Sequence, residues 1–372
     1  MGTPARAMER LDSVAGAGLD LVELWRQAAP LLADAVPHFE SPCFFTVDPE
    51  SLLTTSHFQE GLPEIPAEWL GREYAEGDYN SMSEVLLSSS GSGTLHDATG
   101  GRPELSRKFH EEMQPFGCSQ ELLVALRTRD QESWGVIGLY REVGRPAFAP
   151  SEIRALRQIA PRLAAGARYG LLVGQALEPD LPHAPGLVVL NRRLLIDSAT
   201  VTATDWLASL GGTVDNPPAS VLAVAGQALR SADGEAESRV RSPGGQWILL
   251  RGAALVSPDG PRQVSVILDE PQPAHLAGLL LRAYGLTSRE QEVASSVLQG
   301  RSTGVIADQL GIAMGTVQAH LRNIFEKTGV RSRRELVGAI FHRSYEPRVR
   351  DNESRTSQAR PSRRGLMAQQ SV

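Results

Sequence analysis

Hydrophobic positions along this chain change period several times, and each change marks an element. Between residues 15 and 175 a helical pattern, LDLVELWRQAAPLLADAV, gives way to strand-like CFFTV and LLTTS. A Gly/Ser run at 88–93 within SSSGSGT reads as a flexible loop. Helical character returns near ELSRKFHEEM, and ELLVALRT and SWGVIGLYR then predict two strands split by the polar turn RDQE. From Ser151 a long helix aligns Ile153, Leu156, Ala160, Leu163 and Ala167 in one stripe. The stripe suits packing on its own sheet or a parallel dimer seam, and Pro161 argues against a long unbroken seam.

Residues 183–270 repeat the mixture on a smaller scale. GLVVL, a turn at Asn191-Arg192-Arg193 and LLIDS predict a hairpin, followed by helical TATDWLASL and PASVLAVAGQALR. SRVRS, QWILLRGAAL and QVSVILD are strand-like and separated by SPGG and SPDGP turns. Trp206 is expected in the core. From 275 to 344 the period is helical throughout, and HLAGLLLRAYG puts Leu276, Leu279 and Leu280 on one face of a linker helix over 271–285. We expect that helix to transmit rearrangement of the upstream domains to the helices beyond it.

End signals are dense after Leu286. Thr287-Ser288-Arg289-Glu290 has the spacing of a capping box and opens a helix with Val293, Val297 and Leu298 inward, stopping at Gly300. Ser302 caps a second helix with Ile306, Ala307 and Leu310 inward, ending at Gly311. A third carries Val317, Leu321, Ile324 and Phe325 inward and stops at Gly329. Ser332-Arg333-Arg334-Glu335 opens a fourth with Leu336, Val337, Ile340 and Phe341. Short helices turning at Gly311 predict a helix-turn-helix.

Charge sharpens this picture. The chain of 372 residues has a net charge of −6, yet residues 285–344 carry +3 and residues 345–372 another +3. A basic end on an acidic body suits a polyanion at that end only. Lys108 and Lys327 are the only lysines beside 35 arginines, which we read as codon bias. Residues 1–14 are expected to be flexible, and the Arg- and Ser-rich stretch 345–372 to be a disordered basic tail. The two cysteines, Cys43 and Cys118, form no zinc or disulfide framework and are expected to be buried or partly buried, with a redox switch as the alternative. With no apolar run of membrane-spanning length and no secretory signal, a cytoplasmic protein that engages no membrane is expected. Walker A, H-E-x-x-H and G-x-S-x-G motifs are absent, so neither an enzyme nor a cofactor is expected, and no metal site is either.

LTSREQEV, LQGRSTGVIADQLGI and GTVQAHLRNIFEKTGVRSRRELV resemble the DNA-binding domain of LuxR/FixJ-type transcription regulators across 286–344. The resemblance implies that the third helix enters the major groove, with Gln318, Ala319 and Arg322 at base-facing positions. Gln suits adenine, Ala a thymine methyl and Arg a guanine edge. It also implies phosphate contacts at Thr316, Asn323 and Lys327, a packing or phosphate-side role for His320, and a dimer surface at Leu336, Ile340 and Phe341. Two residues depart from the family pattern: Ala313 at the cap position and Gly304 early in the second helix.

Upstream, 15–175 is similar to GAF domains and 183–270 resembles a PAS domain, a layout met in actinobacterial regulators. The expected fold is therefore multidomain: two α+β sensor domains followed by an all-α four-helix reader. A ligand would lie between sheet and helices, with Phe44, Tyr74, Asp78, Tyr79 and Trp134 as candidate pocket residues. Trp69 and Tyr74 have the aromatic spacing of acyl-homoserine-lactone receptors, but DYNSM stands where Asp-Pro should follow. Expected partners are double-stranded DNA, an unidentified small-molecule effector, a second copy of the chain and RNA polymerase. The alternative is a protein-interaction sensor scaffold with vestigial DNA binding.

Overall fold

The computed structural model describes residues 4–58, 67–173, 184–256 and 263–340. The chain divides into two compact units, one holding two antiparallel sheets and the other the helices from Pro271 onward.

The first sheet domain contains helices α1 (Pro4–Ala15), α2 (Leu21–Ala35), α3 (Ala67–Glu76), α4 (Met82–Leu87), α5 (Leu95–Ala98) and α6 (Pro150–Gly170). Its strands are β1 (Cys43–Val47), β2 (Thr54–Phe58), β3 (Ser92–Thr94), β4 (Cys118–Arg127) and β5 (Ser133–Glu142), paired in the order β2-β1-β5-β4-β3. The second has strands β6 (Gly186–Leu190), β7 (Ile196–Ala199), β8 (Glu235–Arg241), β9 (Trp247–Leu255) and β10 (Gln263–Asp269), with α7 (Val201–Ser209) and α8 (Ala219–Arg230) between the second and third. Its order, β7-β6-β10-β9-β8, repeats the first topology strand for strand.

Alternation along the strands gives the first sheet two different faces. Phe44, Leu122, Val124, Leu126, Ile137 and Leu139 point to a dry core closed by α1, α2 and α6. The stripe of α6 is spent there, with Leu156, Ala160, Leu163 and Ala167 all buried within the single chain. Pro161 is accommodated inside that helix.

Two expectations are corrected. Residues 4–14 are not a flexible lead: α1 places Ala7, Leu11 and Ala15 in the same core, Leu11 completely buried. Two alanines flanking a single leucine at i, i+4 and i+8 give a weak apolar signal but allow close helix approach. The Gly/Ser run is also ordered. Ser88 Oγ accepts from Gly91 N at 3.1 Å, an Arg127 guanidinium nitrogen donates to the Leu86 and Ser88 carbonyls, and Ser92–Thr94 pairs with β4.

The two sheet domains are joined by a buried ion pair and a close helix crossing. Arg239 on β8 meets Asp48 at 2.6 Å and Glu50 at 2.7 Å, and Asp48 also accepts from Arg239 N. Where α3 crosses α8, a Cβ on Gly226 would lie 2.3 Å from the Gly71 carbonyl oxygen, so glycine is required for that approach.

The helical unit comprises α9 (Pro273–Ala283), α10 (Ser288–Leu298), α11 (Thr303–Leu310), α12 (Met314–Thr328) and a short helix at 333–340, α13. Leu276, Leu279, Leu280 and Leu281 of α9 are all buried.

Candidate nucleic-acid interface and sensor cavity

Local chemistry sets the ends of the reader helices. Thr287 Oγ1 accepts from Glu290 N while Glu290 Oε2 accepts from Thr287 N at 2.8 Å, completing the capping box of α10. Ser302 caps α11, and Gly311 ends it at φ 63°, in the left-handed region. The chain re-enters a helix three residues later, at Met314, which fixes the tight turn between α11 and α12. Ala313 offers no side-chain cap to α12, unlike Thr287 and Ser302.

Val317, Leu321 and Ile324 of α12 are buried against the unit, so the helix rotates its other side outward. Gln318, Arg322, Thr316 and Asn323 are exposed there, and Ala319 and His320 are half-buried beside them. A glutamine amide, a methyl and a guanidinium can therefore meet a groove together. Arg333 braces the assembly, donating to the Arg301 carbonyl at 2.9 Å and to Thr303 Oγ1 at 2.8 Å.

Two groups of expected site residues sit differently. Lys327 is paired within the unit: Nζ lies 2.6 Å from Glu290 Oε2 and 3.2 Å from the Gly285 carbonyl. Leu336 and Ile340 are buried in the single chain, at 0% and 1% exposure, so these two side chains complete its core. Phe341 lies outside the described residues.

The first sheet domain holds a cavity of about 790 Å³, its open mouth included, on the face opposite the dry core. None of the five residues expected to line it does so. Phe44 stacks on Trp25 at 4.3 Å on the other face, and its neighbours Cys43 and Phe45 line the cavity instead. The one-residue alternation of β1 decides this, and which face is dry depends on helices distant in sequence. The Tyr74 hydroxyl is tied to Thr54 N and Oγ1 at 3.0 and 2.8 Å, locking α3 to β2. Asp78 accepts from Ser106 Oγ and Lys108 N, fixing the segment that follows. Tyr79 is exposed, and Trp134 is completely buried away from the cavity.

The lining includes four charged side chains. Lys108 Nζ meets Glu121 Oε1 at 2.8 Å and the Asn80 carbonyl at 3.1 Å, while Glu121 Oε2 accepts from Asn80 Nδ2 at 2.8 Å. Glu73 Oε1 accepts from Met82 N. Glu112 stands on a π-helical turn, Phe109–Met113, a geometry often found at functional sites. Burial depresses the Lys108 ammonium, but Glu121 and Glu73 outweigh it and hold its pKa above the usual lysine range. Burial, reinforced by Glu73 and Glu121, pushes Glu112 up to about 7. Cys43 and Cys118 are also on the wall, and burial pushes their thiols up to about 12 and about 11, which keeps them neutral. Lys108 was the signal in the sequence, as one of two lysines among 35 arginines. Among the described residues no group of His, Cys, Asp and Glu could hold a metal, and no helix is long and apolar enough to cross a membrane.

Residues 285–339 match the family described as bacterial regulatory proteins, luxR family. The monoamine regulon transcriptional regulator of Klebsiella aerogenes is 52% identical over 56 residues, covering 15% of this chain and 25% of that protein. The HTH-type transcriptional regulator MalT of Yersinia pestis is 36% identical over 74 residues, or 20% of this chain and 8% of the relative. The aligned part of this chain thus spans a quarter or less of these curated relatives. A crystal structure of the VqmA–ligand–DNA complex of Vibrio cholerae shows 18% identity over 45% of this chain and 85% of that one, with a TM-score of 0.24. Downstream of its two sheet domains, this chain carries a LuxR-family helix-turn-helix domain.

Proposed function

We propose that this chain is a sequence-specific DNA-binding transcriptional regulator, reading the major groove with α12 and controlled by a ligand or partner at its GAF-like and PAS-like domains. The observation that carries the reading is the division of α12: three buried apolar residues fix its roll and leave Gln318, Ala319 and Arg322 outward. A side chain meant only for water has no need of this combination, whereas each of these three matches a base edge. Thr316 and Asn323 flank them as phosphate contacts, which set register without reading sequence. Lys327 is withdrawn from that set because it is paired inside the domain. A homodimer on a two-fold operator belongs to the same reading, with its surface formed elsewhere than at Leu336 and Ile340.

The test is selection of genomic DNA fragments by the purified chain, followed by Arg322→Ala on the recovered site. The variant should lose about 1–3 kcal/mol of affinity and relax preference at one base position. Absence of any footprint at moderate salt would return the scaffold reading.

A further inference from the structure

The cavity of the first sheet domain is short of positive charge. Glu73, Glu112 and Glu121 line it with a single cation, Lys108, and that cation is committed to Glu121 and the Asn80 carbonyl. Glu73 is partly satisfied by Met82 N. Glu112 makes no hydrogen bond or ion pair with another described residue, although it is half-buried. Around these carboxylates the wall is aromatic: Phe39, Phe45, Trp69, Phe116 and Tyr140. Trp69 and Phe116 meet edge to face at 6.1 Å.

We propose that this cavity takes a small organic cation, an amine on an apolar or aromatic body, with its ammonium against Glu112 and Glu73. The aromatic rings contribute twice, by burying the body and by presenting π faces to the charge. A carboxylate ligand would meet a wall with two carboxylates more than cations, and pays a repulsion that the amine does not. A metal ion is disfavoured because the carboxylates form no metal-holding group with other ligating side chains among the described residues. The raised pKa of Glu112 is the complement of the same deficit, since burial and its acidic neighbours oppose ionisation until a cation arrives.

The effector role of the amine rests on the regulator reading, but its binding does not. Calorimetric titration of the full chain with benzylamine and hexylamine, against benzyl alcohol and benzoate, tests the site directly. At least one amine should bind ten-fold or more tighter than the alcohol, and benzoate should not bind. Glu112→Gln should remove that ten-fold preference while leaving the melting temperature and the alcohol's affinity unchanged. Equal binding of amine and alcohol, no amine binding, or an unaltered preference in Glu112→Gln would overturn the proposal. Arg322→Ala, run alongside, should leave amine binding intact. Amine binding with no DNA footprint from the parent chain would sink the regulator reading and keep the site; a footprint without amine binding would do the reverse.

Discussion

Glu290 is buried at 4% exposure, and Lys327 supplies its counter-charge from the far end of α12. Burial alone would raise the carboxyl, but the bond from Lys327 and those from Thr287 outweigh it and hold the pKa below the usual glutamate range. A carboxylate depressed in the folded state adds stability above its unfolded pKa, and that stability is lost as pH falls through the folded value. Lys327→Ala should therefore cost about 1–2 kcal/mol at neutral pH, discounted for the partly exposed ammonium, and the loss should shrink below pH 4.5. Chemical denaturation across pH checks this. The salt slope of DNA binding should stay unchanged; a slope lower by about 1 would restore Lys327 as a phosphate contact. Both lysines of this chain end in such pairs, Lys108 with Glu121 and Lys327 with Glu290. Their rarity was visible in the sequence, but their partners lie 13 and 37 residues away and no local pattern joins them.

At the scale of elements, α3 serves two structures at once. Trp69, Leu70 and Glu73 line the cavity, while Gly71 on another side of the same helix meets α8 of the second sheet domain. A ligand that displaces Trp69 or Glu73 thus has a direct mechanical route into the neighbouring domain. The contact depends on glycine, since the Cβ of Gly226→Ala would fall 2.3 Å from a backbone oxygen and 3.0 Å from Ala75 N. That substitution should cost about 1–3 kcal/mol as the helices are forced apart, read as a lower denaturation midpoint by tryptophan fluorescence. An unchanged midpoint would mean that the crossing is not tight. Helix boundaries in the reader could be read because their determinants are local: Thr287 with Glu290, Ser302, Gly311 and Gly329 each act within four residues. The cavity wall could not. Phe44 and Phe45 are equivalent in pattern, and only the arrival of α2 and α6 on one face separates them.

For the whole molecule, the boundary between the sheet domains and the helical unit falls earlier than the helix-turn-helix pattern suggests. The family match begins at residue 285, yet the compact helical unit takes in the chain from Pro271, so α9 belongs with the reader. Leu276, Leu279, Leu280 and Leu281 are each at most 2% exposed, more burial than a bare connector needs. Three of them were visible as a stripe in HLAGLLLRAYG; the fourth, Leu281, falls off that stripe and is buried because the helix is covered over a wider arc. Polar replacement of Leu279 and Leu280 would accordingly disrupt packing before it reported on signal transmission, because each buried leucine is worth about 1.5–3 kcal/mol. Truncation separates the two roles. A fragment of residues 271–344 should melt cooperatively and at a clearly higher temperature than one of residues 286–344, measured by circular dichroism at equal concentration. If the two fragments melt together, α9 contributes nothing to the reader fold and returns to being a linker. If the longer one is more stable, any signal from the sheet domains must reach DNA through a helix that is already part of the reader.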